Sequence, residues 1–122
     1  MSDPAKLLVV DDDQMMLDYT VRVLTSLGHS AVTATDAEAA VRWLEQDQHI
    51  RAAIIDLRLG KTSNGAQLAL QALAIRPDLR VLLTSGDPGS LQVAGQDMPL
   101  DVELLPKPYR RRDLVARLSR LL

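Results

Sequence analysis

Acidic, hydroxyl and ammonium side chains follow several short apolar runs of the sequence. Asp11–Asp13 follow one run and Asp56 follows another. Thr84 comes directly after a third run, and Lys107 stands between two prolines after a fourth. Crowded carboxylates repel one another unless a cation neutralises them, and hard oxygen ligands with partial hydration suit Mg²⁺ best. If the fold brings these residues together, they predict a magnesium-dependent acidic site.

Asp56 is the candidate nucleophile of such a site. A carboxylate beside a divalent cation can attack a phosphoryl donor and form an acyl phosphate. The ammonium group of Lys107 would offset negative charge on the phosphoryl oxygens, and the hydroxyl of Thr84 would donate to them. Together these groups are the components of metal-assisted phosphoryl transfer.

Each of these residues also has an ordinary structural explanation. Acidic residues before a helix often cap it, which would account for one or two of Asp11–Asp13. A lone Asp after a strand is commonly a turn residue, and Thr84-Ser85-Gly86 could form a simple turn. A lysine between prolines is commonly solvated surface. The functional interpretation is favoured because the predicted fold places all of them at one edge.

Short apolar segments alternate with segments of helical periodicity. Five strands are predicted, over residues 7–10, 30–34, 52–55, 81–83 and 101–105. The helices between them include Asn64–Ile75 and a short one around Ser90–Ala94, where glycine and proline are frequent. Strands this apolar need cover on both faces, so we expect an α/β fold with a doubly wound, five-stranded parallel sheet, helices on both faces and a short or irregular fourth helix. Ligands of such sheets bind beyond the carboxyl ends of the strands, where the candidate residues stand.

Length and composition exclude several classes of protein. The 122 residues are the size of one domain, and we expect a single domain over residues 1–122. The net charge of −2 provides no basic excess for nucleic-acid binding, and the short cluster Arg110–Arg112 does not alter this. The chain has no cysteine, which excludes disulfides and thiolate metal sites. Because no apolar run approaches the ~20 residues of a membrane span and no secretory signal is evident, we expect a cytoplasmic protein without membrane contact.

Four motifs, in this order and spacing, resemble those of bacterial response-regulator receiver domains. Leu8–Asp13 is similar to the opening strand and acidic loop of that family, and Ile54–Leu59 to its phosphorylation strand. Leu82–Gly86 and Leu105–Tyr109 are similar to the two remaining motifs. The resemblance covers essentially the whole chain. It implies a flavodoxin-like sheet with strand order 2-1-3-4-5.

The resemblance also implies a set of ligands for Mg²⁺. Asp12 would bind the metal directly and Asp11 through water. Asp56 and the backbone carbonyl of Arg58 would complete the protein ligands. We also hypothesise that, without metal, the Arg58 side chain pairs with Asp12 or Asp13 and partly substitutes for the cation.

The same resemblance implies the reaction and the partner. Asp56 would accept a phosphoryl group from a phosphohistidine of a histidine kinase or histidine phosphotransfer protein. Thr84 and Lys107 would contact that group, and the Lys107–Pro108 bond would be cis. The domain would catalyse its own phosphorylation and later hydrolysis and then change its surface, but it would otherwise not be an enzyme. Any kinase activity would belong to a parent protein.

Three features depart from the family pattern. Gly60 stands where most members have proline, and the loop of residues 60–65 is one residue longer than in many members, so we expect it to be more mobile. Leu104 replaces the usual aromatic switch residue, which favours a weaker or different output. The weak fourth helix puts the dimerisation mode that uses it in doubt, so we expect a monomer or weak dimer.

Other functions fit part of the pattern. A degenerate receiver that only binds proteins would keep this fold but accept no phosphate. A phosphatase of the haloacid-dehalogenase type would use Asp11 and Asp13 as its D-x-D pair, but the chain is short and has a lone Asp after its third strand. A flavodoxin-like cofactor binder is disfavoured, because no Gly/Ser/Thr-rich loop follows the first strand. We expect either a complete regulator or a receiver taken from a hybrid kinase or larger regulator.

Overall fold

The computed structural model describes residues 4–60 and 63–122. The strands among them are β1 (Lys6–Val10), β2 (Ser30–Ala34), β3 (Ile50–Asp56), β4 (Arg58–Leu59), β5 (Ser63–Asn64), β6 (Arg80–Ser85) and β7 (Glu103–Pro106). Five of them form one parallel sheet in the order β2-β1-β3-β6-β7. This is the expected order 2-1-3-4-5 when the strands of the large sheet are counted along the chain, so that prediction is confirmed.

Helices cover both faces of the sheet. They are α1 (Gln14–Ser26), α2 (Ala37–Gln46), α3 (Gly65–Ile75), α4 (Pro88–Gln96) and α5 (Arg111–Leu121). Side chains alternate along β1, so that Leu7 and Val9 join the apolar cluster that includes α1 and α5, whereas Leu8 and Val10 join the cluster of α2, α3 and α4. Two aliphatic cores therefore sandwich the sheet, as expected for a doubly wound fold.

Several element boundaries differ from the prediction, and the differences at α4 and β7 have identifiable reasons. Helix α4 has nine residues and extends beyond the expected Ser90–Ala94, because the Asp87 side chain caps it and Pro88 occupies its first turn. It is the shortest of the described helices, as expected, but it is continuous. Strand β7 begins at Glu103, because Asp101 lies in a turn.

The segment after β3 forms a small hairpin. Arg58 pairs with Asn64 in the antiparallel β4–β5 ladder. Gly60 has a φ of 77°, a conformation that glycine adopts without strain. The greater mobility predicted for this loop concerns chiefly Lys61 and Thr62, which lie outside the described residues. The part that is described is hydrogen-bonded rather than open.

Side-chain donors reach the backbone of both edge strands. On β2, the carbonyl oxygen of Thr33 accepts a 3.0 Å hydrogen bond from Nε1 of Trp43. On β7, the carbonyl oxygen of Leu104 accepts a 2.8 Å bond from Nε of Arg117.

None of the helices within residues 4–60 and 63–122 combines the length and apolar character needed to cross a bilayer.

Arg76 joins the end of α3 to the turn that precedes β3. Its guanidinium donates to the carbonyl oxygens of Asp47, Gln48 and Ile50 at 3.3, 3.2 and 2.8 Å. Replacing Arg76 with Met should lower the free energy of unfolding by about 2 kcal/mol, because these carbonyls lose a charged donor. Urea unfolding measures this loss.

The matched control is Asp78→Asn. Asp78 is exposed and lies 3.7 Å from Nε of Arg76, an ion pair that should contribute little. If Arg76→Met is as stable as this control, the three backbone contacts do not support the fold.

Candidate functional site

The carboxyl ends of three neighbouring strands bring the predicted residues together. Asp11 directly follows β1, Asp56 ends β3, and Thr84 lies opposite Asp56 in the register of β3 and β6. One carboxylate oxygen from each of Asp11, Asp12 and Asp56 lies within 4.8 Å of the other two. The group forms part of an open cleft of about 1290 Å³ that is bordered by the β4–β5 hairpin and α4. The strand pattern therefore predicted the acidic cluster correctly.

Lys107 extends from the loop after β7 into this cluster. Its Nζ lies 2.8 Å from Oδ2 of Asp11 and 3.1 Å from Oδ2 of Asp56. Its backbone N–H donates to the carbonyl oxygen of Ser85 at 2.8 Å, and the Lys107–Pro108 bond is cis, as the resemblance implied. One ammonium group thus bridges two largely buried carboxylates.

The environment shifts the acidity of both partners. Burial raises the pKa of Asp56 and the charge of Asp11 raises it further, whereas Lys107 and a backbone hydrogen bond from Arg58 act in the opposite direction. Burial acts to lower the pKa of Lys107, but its hydrogen bond to Asp11 and the charges of Asp11 and Asp56 outweigh this and raise it. The lysine therefore stays protonated and supplies the positive charge of the site.

The donor set fits a hard divalent cation. Three carboxylate oxygens converge, and Asp12 is exposed whereas Asp11 and Asp56 are buried, so that an ion could be bound by protein on one side and by water on the other. Oδ2 of Asp12 accepts a 3.0 Å hydrogen bond from the N–H of Gly60, which holds the hairpin next to the acidic group. Arg58, whose carbonyl was the expected fourth ligand, lines the same cleft.

The side chain of Arg58 is not the cation that contacts the cluster. No ion pair joins it to Asp12 or Asp13 within residues 4–60 and 63–122, so the hypothesised pairing is not found. The cation that contacts the cluster is Lys107, which pairs with Asp11 and Asp56 instead. The Asp87 carboxylate accepts hydrogen bonds from Ser90, which lower its pKa, and the charge of Arg58 contributes a smaller effect in the same direction.

Asp13 serves as a helix cap. Its carboxylate accepts a 3.0 Å hydrogen bond from the N–H of Met15 at the start of α1. Its own N–H donates to Oδ1 of Asp11 at 2.9 Å. The D-x-D interpretation needs Asp13 as a general acid, and a carboxylate that is engaged in capping is poorly suited to that task.

Thr84 is buried, and the next two residues form the wall of the cleft. Its carbonyl oxygen accepts a 2.9 Å hydrogen bond from the N–H of Leu57, which fixes the backbone just after Asp56. Ser85 and Gly86 line the cleft, and Oγ of Ser85 accepts from the N–H of Asp87 at 3.0 Å. The three-residue segment thus continues a strand into a wall of the site, rather than forming an isolated turn.

Gly65 packs against the backbone of Asp56, a close approach that the sequence analysis did not predict. A Cβ atom at this position would lie 2.1 Å from the carbonyl oxygen of Asp56 and 2.7 Å from Cα of Leu57. Asn64 caps the helix, since its Oδ1 accepts a 2.7 Å bond from the N–H of Ala66. An Asn-Gly pair before a helical pattern was the only local signal of this close approach.

A second missed contact lies beside Lys107. The hydroxyl groups of Thr20 and Tyr109 are 2.8 Å apart and buried, although 89 residues separate them in the sequence. The ring of Tyr19 packs on that of Tyr109 with centroids 6.1 Å apart.

Leu104, which replaces the expected aromatic residue, packs closely on α4. A Cβ atom on Gly95 would lie 2.7 Å from Cδ1 of Leu104, so an alanine there would require the end of the leucine side chain to shift. The predictions about output and dimerisation at this surface stay predictions.

Comparisons with known proteins agree with the geometry. Residues 7–119 match the response regulator receiver domain family. The response regulator MprA of Mycolicibacterium vanbaalenii is 33% identical over 120 residues, which cover 98% of this chain and 51% of that protein. The response regulator receiver protein CpdR of Brucella abortus is 28% identical over 117 residues, or 96% of each chain. A solved response regulator structure from Burkholderia pseudomallei has a TM-score of 0.80 at 23% identity, covering 93% of this chain and 66% of that one.

These relatives differ in length. The chain spans about half of MprA, 51% of its length, and nearly all of CpdR. The family match extends over most of the chain and includes Lys107 and the three residues of the acidic cluster, Asp11, Asp12 and Asp56. The sheet order and the acidic strand ends are those that the resemblance implied. The chain therefore belongs to the response regulator receiver domain family of two-component signalling.

Proposed function

We propose that this receiver domain accepts a phosphoryl group onto Asp56 from a phosphohistidine of a histidine kinase or histidine phosphotransfer protein. The observation that carries the proposal is the placement of Nζ of Lys107 between Asp11 and Asp56, within a group of three converging carboxylates. Asp56 therefore lies beside the ammonium group of Lys107 and within a group of carboxylates that could bind a divalent ion. This is the arrangement that phosphoryl transfer requires.

Asp56 supplies the attacking oxygen. Its Oδ forms the new bond to phosphorus while the bond from phosphorus to the donor imidazole breaks, and the imidazole leaves with the electron pair of that bond. Lys107, already in contact with Asp56, offsets charge on the phosphoryl oxygens, and the Thr84 hydroxyl donates to one of them. Asp11, Asp12, Asp56 and the carbonyl of Arg58 would hold Mg²⁺, which would supply neutralisation of negative charge during the transfer.

A similar protein lends support to this chemistry. The structure from Burkholderia pseudomallei was solved with a phosphorylated aspartic acid, a calcium ion and citrate. A degenerate receiver, by contrast, would need a defect in the acidic site. Its three carboxylates lie close together here, and its lysine contacts two of them.

The proposal includes the wider setting expected from the sequence. The chain is a single receiver domain over residues 1–122, catalyses its own phosphorylation and dephosphorylation, and works in the cytoplasm as a monomer or weak dimer. Its partner is the phosphohistidine protein, and it contacts neither nucleic acid nor membrane through this domain. Its output is a change of surface that follows phosphorylation of Asp56.

Incubation with a small phosphoryl donor tests the proposal. The protein is mixed with phosphoramidate or acetyl phosphate, with Mg²⁺ or with a chelator, and its intact mass is measured. We expect the mass of one phosphoryl group to be added with Mg²⁺ only, and to be lost on standing, because acyl phosphates hydrolyse. A folded protein that gains no mass with either donor would instead be a degenerate binding module.

A further inference from the structure

We infer that the hydrogen bond between Thr20 and Tyr109, called here the tether, positions Lys107 at the acidic site. Both residues lie outside the acidic cluster, and neither was expected to take part in its chemistry. The effect on reaction rate rests on the proposed function, whereas the effect on the lysine side chain does not.

The loop between β7 and α5 is held at two points around Lys107. On one side, the backbone N–H of Lys107 donates to the carbonyl oxygen of Ser85 at 2.8 Å. On the other, Tyr109, two residues later, meets Oγ1 of Thr20 at 2.8 Å. Because the backbone is held at Lys107 itself and again two residues later, the Lys107 side chain leaves it in a defined direction.

The tether connects the two sides of the site. Thr20 lies in α1, the helix that begins directly after Asp11–Asp13. Tyr109 lies in the loop that carries Lys107. A bond between α1 and this loop therefore sets the distance between the acidic residues and the lysine, and Nζ of Lys107 lies 2.8 Å from Oδ2 of Asp11.

Burial makes the tether more than an incidental contact. Thr20 is 1% exposed, and Tyr109 is 8% exposed and belongs to the apolar cluster of α1 and α5. A buried hydroxyl without a partner is costly, so each hydroxyl needs the other. Apolar packing would hold a ring of the same size at this place, but a directional bond also fixes where the ring and its loop lie along the helix.

Four variants separate positioning from stability. Tyr109→Phe and Thr20→Val each remove one hydroxyl, and the double variant removes both, so that no buried hydroxyl loses its partner and the fold should recover most of its stability. Tyr19→Phe is the matched control, because it deletes a hydroxyl from the ring that packs on Tyr109 but leaves the tether intact.

Two measurements are made on each variant in the full chain. The first is the mobility of the Lys107 ε-methylene group, from ¹³C relaxation by NMR without metal. The second is the rate at which the protein gains phosphate from phosphoramidate with Mg²⁺. The rate measurement is repeated for each variant in a Lys107→Met background, where an effect that acts through the lysine can no longer occur.

We expect Lys107 to become more mobile in the double variant even though the fold is stable, and the rate to fall about 10-fold, since even a 1 Å misplacement can cost ~10²-fold. The Tyr19→Phe variant should match the wild type, and the tether variants should have no further effect in the Lys107→Met background. Unchanged mobility of Lys107 in the double variant would overturn the inference. A further loss of rate when the tether variants are combined with Lys107→Met would overturn it as well. Absence of phosphate gain in the wild type would count against the proposed function alone, since the NMR measurement then decides the question of the tether.

Discussion

Replacing Asp56 with Asn should abolish phosphate gain and at the same time stabilise the metal-free fold. Asn keeps the shape of the side chain but offers no anionic oxygen, so no acyl phosphate can form. Burial, with the nearby charge of Asp11, raises the pKa of Asp56, so its ionised form costs the folded state free energy at neutral pH. Removing that charge should raise the free energy of unfolding by roughly 0.5–2 kcal/mol, and Lys107 keeps its bond to Asp11.

The gain in stability should depend on pH in a defined direction. Because the folded pKa of Asp56 lies above its unfolded value of 3.8, the wild type loses stability as pH rises from that value through the raised pKa. The advantage of Asp56→Asn therefore grows as pH rises through this window and shrinks on acidification through it. Urea unfolding with a chelator at several pH values measures it.

Asp97→Asn is the matched control for Asp56→Asn. Asp97 is exposed on the far side of the same cleft, so this variant removes one negative charge but leaves the buried carboxylates unchanged. With Mg²⁺ the order should reverse, because the wild type binds the ion with one more carboxylate. An Asp56→Asn protein that still gains phosphate would move the acceptor to Asp11–Asp13, and one less stable than the wild type without metal would contradict the account of burial.

Gly65→Ala should be the most damaging single-methyl substitution in the site. The added Cβ would lie 2.1 Å from the carbonyl oxygen and 2.8 Å from the carbonyl carbon of Asp56, and these are backbone atoms that cannot turn aside. We expect the free energy of unfolding to fall by about 3 kcal/mol, at the upper end of the usual cost of overpacking. Helix α3 or the end of β3 must shift, which moves Asp56 away from Asp11 and Asp12, so the affinity for Mg²⁺ should fall as well.

Gly89→Ala is the control for Gly65→Ala. A Cβ atom there meets only Oδ1 of Asp87, at an ordinary contact distance of 3.5 Å, and Gly89 lies within α4. That variant should be as stable as the wild type or slightly more so, because alanine reduces the entropy of the unfolded chain. Thermal and urea unfolding of the two variants, with and without Mg²⁺, provide the comparison. Equal stability of the two would show that the close approach at Gly65 is relieved without cost.

The sequence was sufficient to predict where the site lies. Parallel strands end at a common edge, so Asp11, Asp56, Thr84 and the loop of Lys107 could be brought together from the strand pattern alone. The sequence was not sufficient to predict which basic side chain contacts the carboxylates. Arg58 and Lys107 both have long side chains within reach of the cleft, and the choice depends on backbone directions that no local pattern encodes.

Contacts between distant segments and the extent of α4 were also beyond the sequence pattern. Thr20 lies on a helix and Tyr109 lies in a loop 89 residues away. Taken alone, each is typical of an ordinary core position. In α4, glycine and proline suggested an interrupted helix, but Pro88 in the first turn and the capping carboxylate of Asp87 favour helix formation instead. Proline ends a helix at most positions but favours one in its first turn. Here the capping residue before Pro88 shows that the second case applies.

The donors that reach β2 and β7 bear on how this domain associates with other proteins. An unpaired border of a sheet is a template on which a strand from another molecule can add, which is a common route to aggregation. Here an incoming strand would have to displace the indole of Trp43 at one border and the guanidinium of Arg117 at the other. Growth of the sheet by addition of a further strand is thereby hindered at both of its borders.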